Sequence, residues 1–309
     1  VHGLALCDLG SRTWRHVLHR GQATLADLGP DGVVAVAEDA QGDLWLSGLG
    51  LLRYDVDTGT CVSMRADLRD PSSLQTDASQ TLMVDESGVV WVGHDLGASL
   101  LDTRAKRFFH VEHEVDGENT LSHNTVWSLH EDSRGLLWIA TGDGLCIYDR
   151  QTQRFDVHHG DPSRDSCPSN DVYTTIFEDR RGLVWLGYAH GALDVYDPTQ
   201  DRFRRVPHDP AGEAGAPSVR VYDIAEAPDG RLWFATYDGL QSYDPAADTF
   251  TAHFQDVGSV FDVGGLACKT IEIGPDGIIW LGTTGGGLLR IDPQARERTI
   301  YRHETDDRN

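Results

Sequence analysis

Apolar and polar residues alternate in short runs along almost the whole chain, as in VWSLHED (126–132), and glycine interrupts each run. No stretch keeps helical spacing over the ~10–12 residues a helix needs, so the predicted elements are strands. A tryptophan recurs at 45, 91, 138, 185, 233 and 280, in steps of 46, 47, 47, 48 and 47. Around each one stands the same frame. An alternating run leads to a glycine turn and the tryptophan strand; a second glycine leads to a strand ending in Tyr-Asp or a variant; a short turn leads to a strand opened by an aromatic, as in RFDVHH (154–159). The pattern predicts four short strands per repeat and six repeats, at about 31–66, 77–113, 124–160, 171–208, 219–255 and 266–303.

One four-stranded sheet of this size cannot bury both of its faces. A tryptophan hides roughly 150–250 Å² only if something covers it, and a second sheet stacked face-on supplies that cover. Unit length and strand count match the blade of a β-propeller. The expected fold is therefore all-β, a β-propeller of four-stranded blades forming one domain over 1–309. Residues 3–16 align with 144–157, so residues 1–22 read as a half blade. Six full repeats plus this amino-terminal half blade predict a seven-bladed ring with one blade incomplete in this chain.

Composition narrows the partners. The formal charge is −23, and Lys106 and Lys269 are the only lysines. Such a field repels a phosphate backbone, so no nucleic acid is expected as a partner. No apolar run reaches the ~18 residues of a membrane helix, so no direct membrane insertion by this segment is expected, and no leader is visible. The five cysteines (7, 61, 146, 167 and 268) lack CxxC spacing and read as buried or incidental thiols. No cofactor is expected.

The segment EDSRGLLWIATGDGLCIYD (131–149), with its lead-in TLSHNTV (120–126), resembles the two-component regulator propeller repeat, and six copies in register extend the resemblance over essentially the whole chain. What the resemblance implies is the ligand-sensing, extracytoplasmic (periplasmic) region of a bacterial signal-transduction receptor, not itself an enzyme. Its output domain, a histidine kinase or a diguanylate cyclase, lies outside this segment. The implied partners are a small polar or carbohydrate-like ligand, other domains of the same receptor, and a second copy in a homodimer.

Positions fixed across the repeats belong to the scaffold: the tryptophans, Gly97, Gly144, Gly191, Gly239 and Gly286, and Asp55, Asp102, Asp149, Asp197, Asp244 and Asp292, which are expected to bond turn amides. Positions that differ between repeats are where specificity resides. After each tryptophan the loop changes freely, giving His94, Asp95, Asp143, Tyr188, His190, Tyr237, Asp238 and Thr284 as candidate ligand-binding residues. The entry to the first strand adds Trp127, Tyr173, Tyr222 and Lys269. Aromatics, carboxylates, imidazoles and hydroxyls on a concave rim suit a sugar-like ligand. The fourteen histidines mostly recur at fourth-strand ends, which points to packing; His94, Asp95, Asp143 and His190 form a weak metal candidate, and no metal site is assigned. Two rival readings stand beside the sensor: a propeller lyase or hydrolase, for which no nucleophile elbow or paired-carboxylate signature appears, and a pure protein–protein scaffold.

Overall fold

The computed structural model describes residues 33–103, 106–164, 167–191, 193–206, 220–253 and 259–302, with the backbone of two strands at 5–8 and 13–16. His208, His303 and most of the 1–22 segment lie outside the described residues. The chain divides into two compact units, Val1–Val157 and His158–Asn309.

The first unit opens with a two-stranded antiparallel sheet, β1 (Ala5–Asp8) and β2 (Thr13–His16). Three four-stranded sheets follow. Sheet one holds β3 (Ala35–Glu38), β4 (Leu44–Gly48), β5 (Gly50–Tyr54) and β6 (Cys61–Met64). Sheet two holds β7 (Thr81–Val84), β8 (Val89–His94), β9 (Gly97–Asp102) and β10 (Arg107–Val111). Sheet three holds β11 (Val126–Glu131), β12 (Leu136–Thr141), β13 (Leu145–Asp149) and β14 (Arg154–His158). The second unit holds sheet four, β15 (Tyr173–Glu178), β16 (Val184–Tyr188), β17 (Leu193–Asp197) and β18 (Arg202–Val206). Sheet five is β19 (Val221–Glu226), β20 (Leu232–Thr236), β21 (Gly239–Asp244) and β22 (Thr249–Ala252). Sheet six is β23 (Cys268–Ile273), β24 (Ile279–Thr283), β25 (Gly287–Asp292) and β26 (Glu297–Tyr301). Every four-stranded sheet is a meander with its strands in chain order, so the six sheets of the predicted repeats are all present. At the predicted half blade, β1 and β2 pair as a separate sheet of two strands.

Within each unit the tryptophan of one sheet is covered by the next. Trp45 packs in one apolar cluster with Leu82, Val90 and Val92 of sheet two, and Trp91 with Val126, Leu129 and Leu137 of sheet three. Trp185 meets Ile224, Leu232 and Phe234 of sheet five, and Trp233 meets Ile271, Ile279 and Leu281 of sheet six. Polar groups stitch the same seams. The Glu86 amide donates to Glu131 at 2.8 Å and the Arg180 amide to Glu226 at 2.8 Å, each from one sheet's hairpin to the next sheet's first strand.

The aspartate six residues before the tryptophan has two duties. Asp39, Asp85, Asp132 and Asp179 each accept turn amides on one oxygen, and the other oxygen accepts the indole N–H of Trp45, Trp91, Trp138 or Trp185 at 2.7–3.0 Å. A guanidinium meets each carboxylate: Arg53 at 3.8 Å, Arg150 at 2.8 Å, Arg134 at 2.5 Å and Arg181 at 2.6 Å in turn. Burial pushes the Asp132 carboxyl up, but the Trp138 indole, Arg134 and the Leu136 amide together hold it below its ordinary range. Sheets five and six carry Ala227 and Gly274 at this place. Their indoles stack instead, Trp233 on His253 at 4.9 Å and Trp280 on Tyr301 at 6.0 Å.

The second aspartate series closes the turn between third and fourth strands, as expected. Asp55, Asp149, Asp197, Asp244 and Asp292 accept amides two or three residues on. Gly97 is required for a different reason. Its φ is +125°, and a Cβ there would lie 2.2 Å from the Val111 carbonyl oxygen of the neighbouring strand. Gly287, not Gly286, is its counterpart in sheet six, with the Tyr301 carbonyl oxygen at the same 2.2 Å. Gly97→Ala is expected to cost roughly 2–4 kcal/mol in urea unfolding, since the left-handed conformation and the overpacking add.

Candidate functional site

Antiparallel pairing decides which loops share an end of each sheet. Val126 pairs with Thr141, Tyr173 with Tyr188, Val221 with Thr236, and Cys268 with Thr283. The entry to every first strand thus lies beside the loop between second and third strands. The end of the fourth strand joins them, as His110 opposite Ser99 illustrates.

The twelve candidate residues divide sharply by burial. Asp95, Asp143, His190, Lys269 and Thr284 are exposed, Trp127 is 37% exposed and Tyr237 59%, and Tyr222 and Asp238 are half-buried. His94, Tyr173 and Tyr188 are buried, at 0%, 0% and 3%. The expectation of solvated rim positions is corrected for these three. His94 and Tyr188 end the tryptophan strand instead of starting the loop, and Tyr173 begins a first strand, so their side chains point into the sheet's packing.

In the first unit, the Gln80 amide donates to the Asp95 carboxylate across the first-strand entry. His94 lies beneath, its Nε2 2.9 Å from Ser99 Oγ and its Nδ1 accepting the Leu96 amide at 3.2 Å. Burial, reinforced by His110, lowers its pKa to about 4. A histidine held neutral in the fold and free to protonate at about 6.5 when unfolded favours folding above that value. Its contribution is expected to be full above pH 6.5 and to be lost as pH falls toward 4. Urea unfolding of the parent and of His94→Gln over this range should show the parent losing stability more steeply, by about 2–3 kcal/mol over the interval. Parallel pH profiles would remove His94 as the source.

In the second unit, Tyr222 carries the Lys269 ammonium 3.4 Å from its ring centroid and the Arg220 guanidinium at 5.7 Å. Such cation–π contacts fix the ring and leave cationic hydrogen-bond donors around it. The Tyr237 amide donates to the Arg220 carbonyl at 3.0 Å, which joins the exposed Tyr237 loop to the same entry. Next to Tyr222, half-buried Asp223 accepts from Thr270 Oγ1 and the Ile271 amide, both at 2.9 Å, and desolvation raises its carboxyl pKa. One of the two lysines in a chain of net charge −23 therefore lies on an aromatic platform.

A second set of variable residues meets at the same sheet ends, and of these the sequence reading named only His94 and Tyr188. In sheets two to four the linker entering the sheet, the end of the tryptophan strand and the second or third residue of the third strand meet as a polar trio. In sheet two it is Gln75, His94 and Ser99; in sheet three Ser122, Thr141 and Cys146; in sheet four Ser169, Tyr188 and Asp194. The sheet-four trio is the most polar. Asp194 accepts the Ser169 amide at 2.7 Å, Ser169 Oγ at 2.5 Å and the Tyr173 hydroxyl at 2.8 Å, and Ser169 Oγ also bonds the Tyr188 hydroxyl. Burial and the Asp194 carboxylate push both phenols above their ordinary pKa, so they stay neutral donors. Ser99, Cys146, Asp194 and Gln241 occupy one repeat position. Their divergence was the available signal.

Cys61, Cys146 and Cys268 are buried, and burial pushes the Cys268 thiol up to about 12. No helix among the described residues is long and apolar enough to cross a membrane.

The family model of the two component regulator propeller matches residues 120–143, 168–190 and 215–238. No curated protein matches the chain significantly. Among solved structures, the extracellular domain of the putative hybrid two component system BT3049 from B. thetaiotaomicron is similar, with a TM-score of 0.74 at 18% identity, over 93% of this chain and 36% of that one. Virginiamycin B lyase from Staphylococcus aureus has a TM-score of 0.66 at 12% identity, over 92% and 88% of the two chains. PorZ of the type-IX secretion system of Porphyromonas gingivalis has 0.63 at 13% identity, over 86% and 41%. The chain spans about 36% of the length of the first of these. At such identities each likeness is one of fold. Three of the six repeats of this chain, the third to the fifth, thus match the two component regulator propeller repeat.

Proposed function

We propose that this chain is the extracytoplasmic, periplasmic sensing region of a signal-transduction receptor and that the variable loop ends of its sheets take a small polar, carbohydrate-like ligand. One observation carries the reading: five of the six repeat tryptophans are buried, whereas Tyr222, Tyr237 and Lys269 form an aromatic and cationic surface at a sheet end whose loop sequence differs between the repeats. Flat aromatic faces flanked by hydrogen-bond donors match the alternating apolar and hydroxyl faces of a sugar ring. The fold likeness to an extracellular domain of a hybrid two component system supports the same reading. On this view β1 and β2, whose sequence follows that of 144–157, are the outer half of a seventh blade. Neighbouring receptor domains, or a second copy of the chain, would dock near the same loops.

The test is a thermal-shift and calorimetric screen of the 309-residue chain against neutral and acidic oligosaccharides. A bound saccharide is expected to raise the Tm. Tyr237→Ala should weaken that binding by about tenfold while changing stability by less than ~0.5 kcal/mol, because the side chain is 59% exposed. Substantial unfolding on Tyr237→Ala, or binding that ignores it, counts against this face. The fold likeness to a lyase makes catalysis the second reading. Turnover of any hit, followed by product analysis, separates the two.

A further inference from the structure

Sheet four carries a second cleft, on its outer edge, of about 460 Å³, within the range of small-molecule sites. Its wall is the linker ahead of the sheet and its floor the outer strands β17 and β18. Four guanidinium groups line it: Arg164 from the linker, and Arg202, Arg204 and Arg205 from β18. This concentration occurs in a chain with 49 acidic and 26 basic residues.

Comparison among the repeats separates scaffold from function here. Arg202 has counterparts in Arg107 and Arg154, and Phe203 in Phe108 and Phe155, so both belong to the repeat. Arg204 and Arg205 do not. The matching residues are Phe109 and His110 in sheet two, Asp156 and Val157 in sheet three, and Thr251 and Ala252 in sheet five. Guarding an edge strand with charge would account for one sign anywhere along it; it does not account for a pair unique to the sheet that has the cleft. Both side chains are exposed; consecutive on the edge strand, they leave it on opposite sides, and Arg204 also interacts electrostatically with Tyr243 of sheet five.

The acidic residues of the cleft are already engaged. Asp194 accepts from Ser169 and Tyr173, and Asp197 from the Thr199 amide, Thr199 Oγ1 and Gln200 Nε2. Arg164 is ion-paired with Asp161 at 3.8 Å, and the other three guanidiniums exceed the two carboxylates of the lining by one positive charge. Guanidinium forks match tetrahedral oxyanions in bidentate geometry, and Phe203 and Val195 offer an apolar floor for what the anion is attached to. We propose that this cleft is a binding site, separate from the loop-end surface, for a doubly charged oxyanion group, a phosphate or sulfate ester on a small organic molecule.

The experiment titrates inorganic phosphate and inorganic sulfate calorimetrically into the 309-residue chain at about 150 mM NaCl, where diffuse surface attraction is screened. A saturable isotherm is expected with at least one of them. It should weaken about tenfold or more in Arg204→Ala/Arg205→Ala and be unchanged in Arg298→Ala, an exposed arginine on the outer strand of sheet six. Circular dichroism melts of the double variant should match the parent, since both positions are exposed on an edge strand. Phosphate affinity that rises with its second ionisation assigns a phosphate ester, and pH-independent preference for sulfate assigns a sulfate ester. Absence of saturable heat with both anions, or equal binding by parent and double variant, overturns the proposal.

Discussion

Trp185→Ala is expected to destabilise the chain by about 3–5 kcal/mol, measured as a shift in the urea midpoint at unchanged slope. The indole is fully buried. It packs against Phe234 at 6.0 Å and Tyr243 at 5.3 Å in the next sheet, and its N–H donates to Asp179 at 2.9 Å. Truncation opens a void between two sheets and removes one donor from a buried carboxylate, and the two losses add. Trp280→Ala provides the contrast. That indole is only half-buried and its sheet has Gly274 where the aspartate would be, so a cost of about 1–2 kcal/mol is expected. Equal costs for the two would show that inter-sheet cover does not set the energetics of the series.

Asp194→Ala is the second large effect, about 3–5 kcal/mol. Its carboxylate holds the Ser169 amide, the Ser169 hydroxyl and the Tyr173 hydroxyl, and fully buried Tyr173 loses its acceptor once the carboxylate is gone. Asp194→Asn keeps one acceptor oxygen and should cost roughly half as much. Tyr173→Phe alone should cost about 1–2 kcal/mol, and in combination with Asp194→Ala it should add almost nothing, since the donor it deletes is the one left orphaned. Additive costs in this cycle would mean that the trio is not a coupled unit.

The scaffold was legible because it repeats. A tryptophan every 46–48 residues, a glycine turn before it and an aspartate at the next turn each recur, and each has one local physical cause. Six sheets were therefore foreseeable, and so were the amide-capping aspartates of the third-strand turns. The candidate face was read less well, and for a definite reason. Variation between repeats marks positions released from the shared scaffold, but release does not say which way the side chain points. Tyr237 and Tyr188 both follow a tryptophan by three or four residues; one is exposed, and the other is the last residue of a strand and turned inward. A single step along a strand reverses a side chain's face, and the sequence does not fix where the strand stops to that accuracy.

The amino-acid sequence by itself determined the repeat, the four-strand unit, the need for one sheet to cover another's indole, and the net charge of −23. Only the tertiary structure decided that the aspartate ahead of each of the first four tryptophans also binds the indole, that Lys269 lies on Tyr222, and that four arginines of an acidic chain line one cleft. Those contacts join residues from different strands, linkers and sheets. Periodicity is a property of one segment at a time, whereas proximity between segments exists only once the sheets have packed.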